Sequence, residues 1–216
     1  MNKDLTIFSI TNGRQSHRYS LQSVKEAASD VEIVVVENKS WLDALAYCVN
    51  FCRTQYFLRV DDDFIMHPKS ILYIKKCIEN APKFGVLYWM LWETFTYRVR
   101  ESIKVYSVDA LKTIGGFHAD PISGKVDRIT NPMLEKYGYA VVSNPSVLAL
   151  HVCSTWDDQR QYEKLWGHKK IHRDVMKNYN VSLEEQASLR NDFLDCLNKD
   201  RKTPFAKFKN SIGIMS

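Results

Sequence analysis

The feature that most constrains this chain is a β-α-β-α alternation across its first half. Four short runs, LTIFSIT (residues 5–11), VEIVVVE (31–37), QYFLRV (55–60) and FGVLYWM (84–90), are rich in β-branched and aromatic residues. Each is almost continuously apolar, as a strand covered on both faces must be. Helix-like segments separate them. These are SLQSVKEAAS (20–29), SWLDALAYCVNFC (40–52), where Ser40 is placed to cap, and PKSILYIKKCIEN (68–80), where Pro68 takes the first helical position. Short connections between such elements imply right-handed crossovers and a mainly parallel sheet flanked by helices, an α/β sandwich.

The second half departs from this pattern. TYRVRESIKVYSV (96–108) alternates as a hairpin does and GGFHADPISGK (115–125) reads as a loop, so the sheet is expected to be mixed. A helix around 131–137, a strand AVVS (140–143) and a second strand SVLALHV (146–152) follow. The remainder is helical in character, with Ser182 and Glu185 at capping-box spacing. The expected organisation is a core over residues 1–152 and a helical C-terminal extension over 153–216 with a basic tail.

At 216 residues and 45% hydrophobic content, the chain can bury a sizeable core. The longest apolar run, FGVLYWMLW (84–92), is half of the roughly 18 residues that a membrane span needs. The opening MNKDLTIFSIT has neither the apolar region nor the cleavage site of a signal peptide, and a cytoplasmic location is expected. Cys48, Cys52, Cys77, Cys153 and Cys196 show neither CxxC nor framework spacing and read as reduced thiols. The formal charge of +5 is concentrated late, in GHKKIHRDVMK (167–177) and NKDRKTPFAKFKN (198–210). Such clusters suit a polyanion, and equally a solvated helix face.

The stretch YFLRVDDDFIMHP (56–68) carries the chemistry. In open parallel sheets, ligands bind beyond the carboxyl ends of the strands, and Asp61, Asp62 and Asp63 follow an apolar strand directly. Three adjacent carboxylates repel one another unless cations or hydrogen-bond donors compensate, and hard oxygen ligands at this density suit Mg2+ or Mn2+. The competing assignment is a solvated turn whose aspartates cap the helix that begins near Pro68.

VDDD after an apolar strand, with TIFSITNGR and VEIVVVENKS before it and IGGFHAD after it, resembles the nucleotide-sugar glycosyltransferases of the glycosyltransferase-A fold, family 2 in particular. The resemblance covers about residues 5–152. It implies a Rossmann-like mixed sheet, a nucleotide-sugar donor and a divalent cation, with Asp61 on the nucleotide, Asp63 on the metal and Asp62 a participant. It also implies that Glu37, at the end of the second strand, contacts the nucleoside, where aspartate is more usual. Thr11 and Arg14 match a loop that wraps the nucleotide, and the arginine fork suits a phosphate.

Family members often show Gly-Gly-Phe, a variable loop, a Glu-Asp pair, a helix and then Gly-Tyr. Spacing backward from Gly138 and Tyr139 matches the second acid to Asp127, with Val126 where glutamate is usual and Pro132 interrupting the helix. By this match, Asp127 is the base that takes the acceptor's proton in an inverting transfer. Its other assignment is a helix-start cap. A late histidine often completes the metal shell, and His151 occupies that place; a polar residue at a strand boundary would look the same. Trp156 either packs or stacks on a sugar or a base.

Three other classes meet the same residues. A nucleotidyltransferase would normally show a glycine-rich phosphate loop, whereas SITNGRQS has one glycine. A metal-dependent nuclease would cleave nucleic acid without a donor. A basic binding module would keep its affinity without the aspartates. For a transferase, Lys169, Lys170 and Arg173 are expected to serve the acceptor, a glycan, a lipid-linked glycan reached by peripheral membrane contact, or a hydroxymethylated DNA base.

Overall fold

Period-two alternation in the strands decides the layering of the molecule. The computed structural model describes residues 5–14, 16–93 and 98–151. All but Glu93 and Arg98 belong to one unit, residues 1–92 with 99–152. The expected extension over 153–216, with Trp156, Lys169, Lys170 and Arg173, lies outside the described residues. Strands β1 (Leu5–Thr11), β2 (Glu32–Glu37), β3 (Tyr56–Asp61), β4 (Phe64–Met66), β5 (Phe84–Glu93), β6 (Arg98–Ser107) and β7 (Ala140–His151) form one sheet of order β2-β1-β3-β6-β5-β7-β4. β1 runs parallel to β2 and β3, β6 returns antiparallel along β3, and β4 lies antiparallel to β7. The sheet is mixed and flanked by helices, as expected.

Leu5 and Ile7 of β1 face one apolar layer while Phe8 and Ile10 face the other. The first layer is closed by α1 (His17–Ala27) and α3 (Ser70–Asn80), through Val24, Ile71, Ile74 and Ile78. The second is closed by α2 (Trp41–Phe51), α4 (Val108–Thr113) and α5 (Asp127–Lys136), through Ala44, Leu45, Ala110, Leu111 and Leu134. Each such valine, leucine or isoleucine contributes about 1.5–3 kcal/mol by leaving water. Gly85 on β5 lies beneath α5, and a Cβ there would meet Leu134 Cδ2 at 2.8 Å, so the helix sits closer to the sheet than any side chain at 85 permits without Leu134 moving.

Several elements differ from expectation. β2 is a sheet edge, with Glu32, Val35 and Glu37 exposed rather than covered on both faces. Residues 98–107 form one strand, not both arms of a hairpin; β6 lies beside β5. The two short strands of residues 140–152 are a single one, β7, that runs through Asn144 and Pro145. α3 starts at Ser70, beyond Pro68, with Lys69 at its cap position. α5 starts four residues before the expected 131 and keeps Pro132 within it, so proline does not interrupt the helix. Cys48, Cys52 and Cys77 are free thiols, in line with the expected reduced state.

Candidate active site

The register of the parallel strands brings several of the sequence-predicted residues to one edge. Thr11 pairs with Glu37 across β1 and β2, and Ile10 pairs with Asp61 across β1 and β3, so Thr11, Glu37 and the aspartates all lie at the carboxyl end of the sheet. β4 supplies the remaining alignment. Phe64 pairs with His151 of β7, so Asp63, one residue earlier, stands beside the histidine, with its Oδ2 3.3 Å from His151 Nε2. Buried serines of α1 fix this corner: Ser20 Oγ donates to the Asp61 carbonyl and Ser23 Oγ accepts from the Met66 amide, at 3.0 and 2.9 Å.

The three aspartates have separate surroundings. Asp62 is turned inward, where its Oδ2 accepts from Thr11 Oγ1 at 3.0 Å and the Asn12 amide at 3.2 Å, and its Oδ1 meets Arg14 at 3.3 Å. Thr11 Oγ1 in turn accepts from the Gly13 amide at 3.0 Å, so Asp62 ties down the loop between β1 and α1. Asp63 meets Arg14 Nη1 at 3.0 Å as well as His151. Burial works to raise the Asp63 carboxyl, but the charge and hydrogen bond of His151, with Arg14, outweigh it and hold the group below the usual carboxylate range. Asp61 behaves oppositely. Burial pushes its carboxyl up against the opposing charge of Arg59, and Asp63 adds to the push. None of the three caps α3, whose cap position is Lys69 without a side-chain bond, so the capping assignment fails.

Two recesses flank these groups. One, of about 200 Å³, is lined by Thr11, Arg14, Trp41, Asp61, Asp63 and His151 among others, and Arg100 and Ser102 of β6 complete it. The other, of about 640 Å³, lies on the far side of the Gly13–Arg14 loop and reaches His17, Leu21, Val35 and Glu37. Arg14 belongs to both.

Behind the first recess lies a group of charges that sequence reasoning missed. Arg59 and Lys104 are directly opposite each other on β3 and β6, each nearly buried. Arg59 grips Asp61 with two contacts, Nε to Oδ1 at 3.1 Å and Nη2 to Oδ2 at 3.2 Å, and its guanidinium lies over the Trp41 ring at 4.6 Å. Lys104 Nζ is 2.5 Å from Asp127 Oδ2. Burial and the neighbouring Arg59 bring the Lys104 ammonium down to about 8, with Asp127 opposing. Asp127 opens α5 but makes no capping bond; the cap position is Val126. The signal that could have found Arg59 and Lys104 is a cation flanked by β-strand apolar residues on both sides, as in LRV and IKV.

The residues present can be set against the divalent cation that the resemblance of motifs implies. Asp63 and His151 set a carboxylate oxygen and an imidazole nitrogen side by side. Among the described residues no third acidic, histidine or cysteine side chain joins them. A cation that retains waters and takes phosphate oxygens needs only one or two ligands from the protein.

With this geometry in place, the likeness to solved structures is informative. The chain aligns over 94% of its length with 83% of the mannosyltransferase PcManGT of Pyrobaculum calidifontis, solved with GDP-Man and Mn2+, at 13% identity and a TM-score of 0.54. It covers 76% of glucosyl-3-phosphoglycerate synthase of Mycobacterium tuberculosis, solved with Mn2+, UDP and phosphoglyceric acid, with 81% of its own length, at 9% identity and a TM-score of 0.55. TarS of S. aureus matches 75% of this chain through 39% of its own, at 10% identity and a TM-score of 0.51. The fold is that of the glycosyltransferase-A enzymes, as the resemblance of motifs implied. No family model matches the chain, and no curated protein matches it by sequence.

Proposed function

We propose that this chain is a metal-dependent glycosyltransferase that moves a sugar from a nucleotide-sugar donor to an acceptor hydroxyl with inversion. The observation that supports it most is the convergence of Thr11, Arg14, Asp61, Asp63 and His151 on one recess at the carboxyl edge of the parallel strands. Arg14 stands between the two recesses and offers a guanidinium to a diphosphate. The wider recess, ending at Glu37, suits the nucleoside, and Asp61, which lines the smaller one, is assigned to the ribose. Asp62 serves the donor through the loop it holds. Asp63 and His151 would hold Mn2+ or Mg2+, which would supply positive charge against the departing diphosphate. Asp127, partly exposed, accepts the proton of the attacking hydroxyl.

In this reading the acceptor is polyanionic, a glycan, a lipid-linked glycan or a modified DNA base, and is met by the basic residues beyond 152. Among the described residues, no helix is long and apolar enough to cross a membrane, and the expected cytoplasmic location is kept as part of the proposal. The test is release of nucleoside diphosphate from a panel of nucleotide sugars with Mn2+, repeated in excess chelator. Turnover that needs the cation supports the reading. Full activity in chelator, or cleavage of nucleic acid with no donor turned over, rejects it.

A further inference from the structure

We propose that Lys104 is a positioning residue for Asp127, holding one carboxylate oxygen so that the other is presented to the attacking hydroxyl. The role given to Asp127 rests on the glycosyl-transfer reading; the ion pair itself does not. Lys104 sits on the face of β6 that packs into the second apolar layer, beside Tyr106, and its side chain is 9% exposed against 45% for Asp127. The Tyr88 ring lies 5.1 Å from its ammonium and completes the enclosure. An ammonium in such a layer is costly unless paired, and like charges directly opposite on neighbouring strands repel. Arg59 and Lys104 stand in that arrangement.

Packing offers no reason for two cations there, whereas each holds a carboxylate, Arg59 holding Asp61 and Lys104 holding Asp127. The sheet thus carries the spacing between the donor-side acid and the proton acceptor. A carboxylate on the first turn of a helix turns freely about its side-chain bonds; Lys104 engages Oδ2 at 2.5 Å, and the Tyr88 hydroxyl also interacts with the group, so its rotation is restricted. Neither Lys104 nor Asp127 lines either recess, so the pair is expected to act on transfer and not on donor binding.

The experiment compares Lys104→Met, Lys104→Arg, Asp127→Asn and the double variant Lys104→Met/Asp127→Asn. Nucleoside diphosphate release is followed from UDP-glucose and from GDP-mannose with Mn2+, water serving as acceptor, and each variant's fold is checked by circular dichroism. The expected result is a kcat lowered about 100-fold by Lys104→Met, the cost of a misplaced reacting group, with KM unchanged and most of the rate restored by Lys104→Arg. In the Asp127→Asn background, Lys104→Met should cost nothing further. Independent losses in the double variant, or a raised KM with kcat intact, would overturn the proposal. Should Lys104→Met fail to fold, Lys104→Gln takes its place. A ligand-free arm follows the Asp127 carboxyl carbon by NMR and expects its resonance to move in Lys104→Met. If the wild type turns over neither nucleotide sugar, the choice of donors or the glycosyl-transfer reading has failed, and an unmoved Asp127 resonance still overturns the pair.

Discussion

The two faces of the sheet are built to different ends. On the face covered by α1 and α3, strands β1, β3, β5 and β6 bury only uncharged side chains, among them Leu58, Val60, Leu87, Trp89, Ile103 and Val105. On the face covered by α2, α4 and α5, the same strands alternate Phe8, Phe57 and Tyr106 with Arg59 and Lys104. The first layer gathers hydrophobic stabilisation without dilution. The second gives some of it up to carry charge to the edge where the aspartates stand. A chain under selection for stability alone would fill positions 59 and 104 as it fills 58 and 105, because a buried ion pair seldom outperforms apolar packing of the same volume.

This contrast can be broken most forcefully at Asp127. Asp127→Asn fills nearly the same space without accepting a proton, so donor affinity should hold while transfer falls roughly 10²–10⁴-fold; normal transfer would move the base elsewhere. On the other face, Ile74→Ala should cost about 2–5 kcal/mol of stability by opening a cavity, while kcat of the folded fraction stays at the wild-type value. A fall in that kcat would mean the faces are not separable. Between them lies the loop held by Asp62. Thr11→Val removes both bonds of the Thr11 hydroxyl and should cost about 1–3 kcal/mol, with a raised KM for donor as its kinetic trace.

A further effect distinguishes the faces by pH. Lys104 is brought from 10.5 in the unfolded chain to about 8 in the fold. Between these values the unfolded chain binds more protons at this site, so the Lys104 contribution to stability is lost as pH falls through 8 and grows as pH rises toward 10.5. Lys104→Met should remove that rise. Wild-type and variant stability curves of the same shape over this window would contradict the assignment.

Much of this was legible in the residues. β1, α2 and β3 lie where the alternation of patterns puts them, and VDDD falls at a strand end because a strand buried on both faces cannot continue into three carboxylates. The misses have physical causes. Asn144 and Pro145 look like a turn, but β4 reaches only Ala149 to His151, so proline sits where β7 has an open flank and no ladder bond to lose on that side. β4 itself is three residues long, too short for a periodicity, yet it sets His151 beside Asp63. Arg59 and Lys104 were passed over because each is one cation in a strand, and their meeting depends on the antiparallel register of β3 and β6, which no local pattern encodes.

Gly85 gives the molecule a property of a different kind. The missing methyl group lets Leu134 fill the space above β5, and α5 rests at the depth this allows. Asp127 begins the same helix, two turns from Leu134, so the height of its carboxylate above the sheet is set by a thickness in the core. Positions 85 and 134 therefore act as one spacer: alanine at 85 forces Leu134 to move or shrink, and related chains that keep α5 at the same height should exchange volume between these two sites rather than alter either alone.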